Sequence, residues 1–554
     1  MEKSLSTQVL IVGGGPVGLT LAIDLGQRGI RCVLVERNTV ASPLPKMELC
    51  NPRTMEIFQR LGIVEQVRAA GWPAETPMDV VVGPSLVETP YAVLPYPSTT
   101  QQQREIADCD DASRPREAYH RVSQYSLEPL LRRIAEATPG VSVLFGHTLE
   151  SFEDDGNEVR ARIRSSDGSM VATASQYIVG CDGGNSTVRK QLGIEYEGDY
   201  AAVRHLMIFF RAPELLAQTG AQIARHYYLA GKRQGALVTQ DDLKRFALHL
   251  QIPADADVSA IDPKAEIKAA LGLDIDAELI HVGPWSAHLV VATRYRQGRA
   301  FIAGDAAHQY IPTGGFGMNT GVGDADNLGW KLAAALKGWG GAALLNSYEQ
   351  ERLPVGRRNR DMSRHAAQGS RDWREQFSST VLEPTQAGRE ARARLVTAIQ
   401  SGQRRSHEMN GVEMGYRYHA SDICLVEADG AEGADDPKYT PTATPGARLP
   451  HVWLAPGKSV HDLVGKSMTL LSLEGDETLV REFEAAAARI GVPFAVARVP
   501  ASLREFFGNG LLLIRPDLHV AWRGNEATDP DSILLTIVGS DKAGRAAEQT
   551  GNRS

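Results

Sequence analysis

The residues best suited to chemistry stand at the start of the chain. Gly13-Gly14-Gly15-Pro16-Val17-Gly18 fits the G-x-G-x-x-G spacing. In that spacing Gly13 makes a tight turn, Gly15 lets a pyrophosphate approach the backbone, and Gly18 lets helix pack on strand. Pro16 and Val17 then open a helix whose free N–H groups and positive dipole end face an anion. Glu36 lies 18 residues past Gly18, close to the spacing of about 20 expected of the acid that binds a ribose hydroxyl. Arg37 follows it, and a solvated strand end is the alternative reading of Glu36. Far along the chain, Arg299–His308 is an apolar strand ending in Gly304-Asp305, which puts a carboxylate where ligands of open α/β sheets bind. A second glycine-rich turn, Pro312-Thr313-Gly314-Gly315-Phe316-Gly317-Met318-Asn319, opens another helix and offers a second anion site.

These turns need a parallel sheet to hold them. Residues 8–12 and 31–36 read as buried strands flanking a helix at 16–28, a βαβ unit. Helices are expected at 51–61, 126–137 and 318–338, and strands at 141–149, 158–164 and 171–179. The Pro-rich, polar stretch from the end of the 51–61 helix to about 114 reads as loops and short strands. Alternating strands between 190 and 295 suggest an antiparallel sheet. Residues 400–450, rich in Gly, Pro, Asp and Thr, read as a linker before a compact α/β pattern: strands 467–472, 493–498, 511–515 and 518–522, helices 477–490 and 530–538.

With 554 residues the chain is expected to hold two or three domains. A formal net charge of -8 argues against a nucleic-acid partner and gives no support to an anionic membrane surface. Five scattered cysteines suggest neither a disulfide framework nor a zinc site. No apolar run reaches the length of a membrane span, so a cytoplasmic protein is expected.

The three glycine and Gly-Asp segments together resemble those of the class A flavoprotein monooxygenases, the family of para-hydroxybenzoate hydroxylase and phenol hydroxylase. The resemblance implies FAD as cofactor and NADPH or NADH as a transient co-substrate. It implies that Asp305 holds the FAD ribitol and that the backbone of Gly317 to Asn319 meets the flavin N1–C2=O edge. Cys181-Asp182-Gly183-Gly184 resembles the family's Asp-Gly motif, and Tyr348-Glu349-Gln350-Glu351-Arg352-Leu353-Pro354 a structural segment after the flavin helix. Arg121 and Gln124 match positions on the FAD phosphate side, and Lys46 stands where the family often has a pyrophosphate-binding Arg. Pro445–His451 and Arg515–Arg523 resemble the thioredoxin-like tail of phenol hydroxylase and its polyketide-hydroxylase relatives, here without a Cys-x-x-Cys pair. The implied fold is therefore α/β: a Rossmann-like FAD-binding domain (1–80, 110–185, 296–400) with an inserted antiparallel-sheet substrate domain (81–109, 186–295). A linker (401–445) and a thioredoxin-like domain (446–554) complete it, the last structural or dimer-forming.

The implied reaction reduces FAD with NAD(P)H and inserts oxygen into a phenolic or other small aromatic ring through a flavin hydroperoxide. Glu48 is the candidate base, where phenol hydroxylase carries an active-site Asp; between Met47 and Leu49 its pKa is expected to be raised. An ordinary surface glutamate is the alternative. His288 could face the substrate pocket or be a buried structural histidine, and His308 reads as a packing residue of the turn. The other readings are a polyketide-tailoring or Baeyer–Villiger member of the family, an FAD oxidoreductase that inserts no oxygen, and a non-catalytic binding protein like the GDP-dissociation inhibitors.

Overall fold

A computed structural model describes residues 3–427, 436–473, 477–526 and 529–540. Part of the expected linker (428–435) and the end of the expected C-terminal domain (541–554) lie outside them.

The apolar, β-branched runs pair into a six-stranded sheet in the order Arg296–Gln297, Ala300–Ile302, Tyr177–Gly180, Val9–Val12, Cys32–Glu36, Val141–Phe145. Every pair except the first is parallel. Four of these strands are buried along nearly their whole length, as a sheet covered on both faces requires. Because they run the same way, their carboxyl ends share one edge. Glu36 ends one of these strands, and Gly13, Asp182 and Asp305 follow the ends of three others. Helix Pro16–Gln27 packs against the long helix Phe316–Leu336, and the latter starts two residues earlier than the sequence suggests.

A second sheet has eight strands in the order His308–Gln309, Glu278–Ala292, Tyr196–Arg211, Arg245–Ile252, Gly235–Thr239, His226–Leu229, Val80–Gly83, Ala92–Leu94. Alternation sorts its side chains onto two faces. Leu206, Ile208, Phe210, Leu248 and Leu250 form a core with helix Pro263–Leu271. Met207, Phe209, His249 and Trp285 point the other way, and Phe209 meets the Tyr125 ring of helix Gln124–Ala137 at 5.9 Å.

The polar stretch before residue 114 is more regular than expected. It holds helices Val64–Ala70 and Thr99–Ala107, the latter started by the Ser98 side chain, which accepts from the Gln101 N–H. The supposed linker is also not a free tether: its short helix Asn410–Met414 is fully buried from Gly411 on, and Tyr418, Ile423 and Cys424 are buried beyond it.

The C-terminal sheet runs Phe494–Arg498, Met468–Ser472, Leu511–Ile514, Val520–Gly524, with one parallel and two antiparallel pairings. Its core continues into Trp330 and Leu344 of the two preceding helices and Trp339 of the loop between them. Buried ion pairs tie the units together. Arg448 Nε donates to Glu56 Oε2 at 2.7 Å, and Arg515 donates through both terminal nitrogens to Glu351 (2.6 and 2.9 Å). No helix among the described residues is long and apolar enough to cross a membrane.

Candidate active site

The first glycine turn is built by close packing. A Cβ on Gly13 (φ +111°) would lie 2.2 Å from the Cys181 carbonyl oxygen, and one on Gly18 would lie 2.1 Å from the Gly13 oxygen. Gly15 differs: a Cβ there would meet no protein atom within 4 Å, so only something absent from the polypeptide would need its bareness. The Gly14 N–H donates to Glu36 Oε2 at 2.8 Å, which fixes the acid beside the turn. Arg37 beyond it is exposed.

Val17, Gly304 and Gly321 interlock, since a Cβ on Gly321 would press on both Val17 and the Gly304 Cα. That contact brings the Gly-Asp turn against the first glycine turn and the long helix. Behind it, buried Asp324 accepts from the Gly304 N–H (3.0 Å), from Arg352 Nε (2.7 Å) and pairs with His308 Nε2 (2.8 Å). His308 is thus a packing residue with a buried partner.

Whether FAD fits these residues is decided by what the polypeptide leaves unsatisfied. Both helices that begin at the turns, after Gly15 and after Gly315, lack a side-chain cap, so their first N–H groups are free for an anion. Gly317 faces open space as Gly15 does. Asp305 is exposed and makes no side-chain hydrogen bond to a described residue. Asp182 caps the next helix through Oδ2 (Thr187 N–H, 2.7 Å), while its Oδ1 is buried without a partner. Gln124 Nε2 donates to Glu128 Oε2 (2.8 Å) on the same side as Lys46. The set fits a dinucleotide with a second polar end, as FAD has.

Asn319 does more than open the helix. Its Oδ1 accepts from the Asn51 N–H (3.0 Å) and Thr54 Oγ1 (2.7 Å), and its Nδ2 donates to the carbonyls of Leu49 (2.9 Å) and Gly315 (2.7 Å). It therefore clamps the Glu48-bearing segment to the second glycine turn, with Pro312 and Met318 on its flanks.

One expectation is corrected here. Glu48 does not have a raised pKa. Burial pushes it up, but Arg121 (3.0 Å), His226 and Arg225 outweigh that and hold it at about 2, so it is an ionised partner and not a poised base. One terminal nitrogen of Arg121 donates both to Glu48 (3.0 Å) and to the Thr239 carbonyl (2.7 Å) of the eight-stranded sheet, while its Nε is buried without a partner. His288, on the same strand as Trp285, is half-buried with its ring 5.2 Å from that of Tyr200.

The face turned toward the glycine turns carries groups that sequence reading passed over. His205 stacks on Trp285 at 4.6 Å, and His249 meets the same indole edge-on. His226, Tyr228, Tyr96 and His407 form a second aromatic group. Burial pulls the pKa of His226, His249 and His407 below the ordinary value, so these rings are neutral near pH 7. Beside them the Tyr119 hydroxyl donates to buried Glu413, whose pKa burial lifts to about 8. The period-two alternation of His226 and Tyr228 was the one signal available; nothing in the sequence marks His407 or Glu413.

Comparison with known proteins agrees with this arrangement. Residues 6–363 match the family described as FAD binding domain, and residues 442–540 match that described as aromatic-ring hydroxylase, C-terminal. The FAD-dependent monooxygenase apdD of Emericella nidulans is 33% identical, the alignment covering 96% of this chain and 90% of that protein. The 4-methyl-5-nitrocatechol 5-monooxygenase of a Burkholderia species is 31% identical, with 96% of each chain covered. The flavin-dependent monooxygenase PieE, solved in complex with FAD and substrate, superposes with a TM-score of 0.88 at 30% identity, covering 97% of this chain and 100% of that one.

Proposed function

The chain belongs to the FAD-dependent aromatic-ring hydroxylases, and on that premise we propose that this monooxygenase uses NADPH or NADH to hydroxylate a phenolic or related aromatic ring. One observation carries the reading. Gly13, Glu36, Asp182 and Asp305 share one sheet edge with two uncapped helix N-termini, and an aromatic, polar face of a second sheet looks toward them. Bound FAD would supply hydride acceptance and oxygen activation.

The polypeptide has three tasks. Gly13–Gly18 and the helix after it seat the pyrophosphate, Glu36 takes a ribose hydroxyl, and Asp305 takes the ribitol. The free N–H groups of Gly317 to Asn319 stabilise negative charge at the flavin N1–C2=O edge. Trp285, His205, Tyr228 and His407 stack on the substrate ring and keep water from the reacting centre. The histidines, neutral near pH 7, add no charge there. We read the C-terminal four-stranded sheet as a thioredoxin-like unit with a structural task, because its Arg515 and Arg448 serve buried pairs with the main body.

The test is anaerobic flavin reduction by NADH and by NADPH, with and without a panel of phenols, followed by heavy-oxygen incorporation from labelled dioxygen. Substrate-accelerated reduction and label in the ring are the expected results. Protein purified without FAD and unable to bind it, or ring product without label, overturns the proposal.

A further inference from the structure

The side-chain amide of Asn319 has four hydrogen-bonding directions, and the polypeptide fills all of them. Its Nδ2 donates to the carbonyls of Leu49 (2.9 Å) and Gly315 (2.7 Å). Its Oδ1 accepts from the Asn51 N–H (3.0 Å) and from the Thr54 hydroxyl (2.7 Å). Two carbonyls can only accept, so they fix which end of the amide is nitrogen. No part of this side chain is left over for a ligand, and Asn319 is a clamp. Its hold on Gly315 has a consequence for the turn. Gly314 and Gly315 both lie in the left-handed region (φ +90° and +68°), and the Gly315 carbonyl shares one rigid peptide plane with the N–H of Phe316, the first residue of the helix. Anchoring that carbonyl aims the N–H out of the uncapped helix end.

Thr54 steadies the clamp. A threonine hydroxyl in a helix can turn back onto a carbonyl of the preceding turn; that of Thr54, fully buried, donates instead across to a different helix. Its own helix, Pro52–Arg60, is a firm base. The Asn51 side chain caps that helix by accepting from the Thr54 N–H at 2.9 Å. Arg53 pairs with Asp326 of helix Phe316–Leu336 at 3.1 Å and donates to the Asp517 carbonyl of the C-terminal unit at 2.8 Å. Arg60 pairs with Asp326 as well. Without the Thr54 hydroxyl, Asn319 Oδ1 would keep one donor out of two.

Resting on the reading that FAD turns its N1–C2=O edge to this helix end, we propose that Thr54 is a positioning residue that tunes the flavin by holding Asn319 and, through it, the second glycine turn. The N–H groups so aimed meet the negative charge that a reduced flavin carries at that edge and an oxidised flavin lacks. The Thr54 hydroxyl therefore favours reduced over oxidised FAD.

The test uses the full-length, FAD-loaded enzyme as wild type, Thr54→Val, Thr54→Ala and Thr54→Ser. The flavin midpoint potential is read by reduction alongside a reference dye, and the melting temperature of each apoprotein is recorded separately. Thr54→Val keeps the volume and removes the hydroxyl. It should weaken the preference for reduced FAD by about three- to tenfold, the worth of one hydrogen bond, which lowers the two-electron potential by about 14–30 mV. Thr54→Ser keeps the hydroxyl and should hold the wild-type potential even where the lost methyl lowers its melting temperature. Should Thr54→Val fail to fold, Thr54→Ala decides in its place. A potential unchanged without the hydroxyl, or lowered as much in Thr54→Ser, makes Thr54 a packing residue and overturns the proposal, whatever the melting temperatures. Either result leaves the hydroxylase reading intact if labelled oxygen still enters the ring. The expected shift without oxygen insertion by the wild type would keep the role of Thr54 and remove the hydroxylase reading, and wild-type protein that binds no FAD overturns both.

Discussion

Gly15 and Gly18 belong to one motif but are glycines for different reasons, and that difference can be measured. At Gly15 the backbone is extended (φ −75°, ψ 178°), which any residue adopts, and a Cβ would touch nothing within 4 Å. Gly15→Ala therefore costs the polypeptide only its preference at a helix N-cap, about 1 kcal/mol or less. At Gly18 a Cβ would fall 2.1 Å from the Gly13 oxygen. Gly13 cannot retreat, because it already abuts the Cys181 carbonyl, so Gly18→Ala carries an overpacking cost of about 1–3 kcal/mol or more. For FAD the order reverses. If the pyrophosphate lies against Gly15, the added methyl pushes it off the helix N-terminus, and a loss of about 1.4 kcal/mol is tenfold in affinity. The assay pairs the melting temperature of the apoprotein with FAD titration by flavin fluorescence. Gly15→Ala should melt close to wild type and bind FAD at least about tenfold more weakly, whereas Gly18→Ala should melt lower even without FAD. A Gly15→Ala protein that holds FAD as tightly as wild type would refute the placement of the phosphate.

Two further outcomes follow from buried carboxyl groups. Glu413 has a folded pKa of about 8, above its ordinary 4.5, so the folded state holds the proton that the unfolded chain releases. Stability from this group is full below about 4.5 and is lost as pH rises through about 8; Glu413→Gln should flatten that decline and melt higher than wild type at alkaline pH, and an unchanged pH slope would sink the assignment. Glu56 is the opposite case, held at about 2 because Arg448 and then His461 and Arg53 outweigh its burial, so its stability is present above about 4.5 and lost as pH falls through about 2. Arg448→Met should cost about 3–5 kcal/mol by removing the chief partner of that buried carboxylate. The double variant Glu56→Gln, Arg448→Met should recover part of the loss in chemical denaturation; no recovery would mean the pair does not act as a pair.

The spacing of glycines and the apolar runs around them determined the dinucleotide unit, because those signals are local. A strand, a tight turn and a helix N-terminus within a dozen residues leave little freedom, and Gly13 to Gly18, Glu36 and Gly304-Asp305 fall where such reasoning puts them. Boundaries of most elements were legible for the same reason. Helix Thr99–Ala107 was hidden because its residues are polar and its burial is slight, and the Gly- and Pro-rich stretch after 400 concealed buried residues behind a linker's composition.

What the sequence could not determine is charge state and facing, since both depend on neighbours far away along the chain. Glu48 looks like a raised carboxyl between two apolar residues, but Arg121, Arg225 and His226 meet it from 73 to 178 positions away and reverse the sign. Arg121 carries no sequence sign of the Thr239 carbonyl that the second sheet brings to it. His288 carries no sequence sign of the Tyr200 ring that strand pairing brings to it. Local patterns place the elements; an electrostatic environment is a sum over all the groups that folding brings within a few ångströms, so only the tertiary structure decides it.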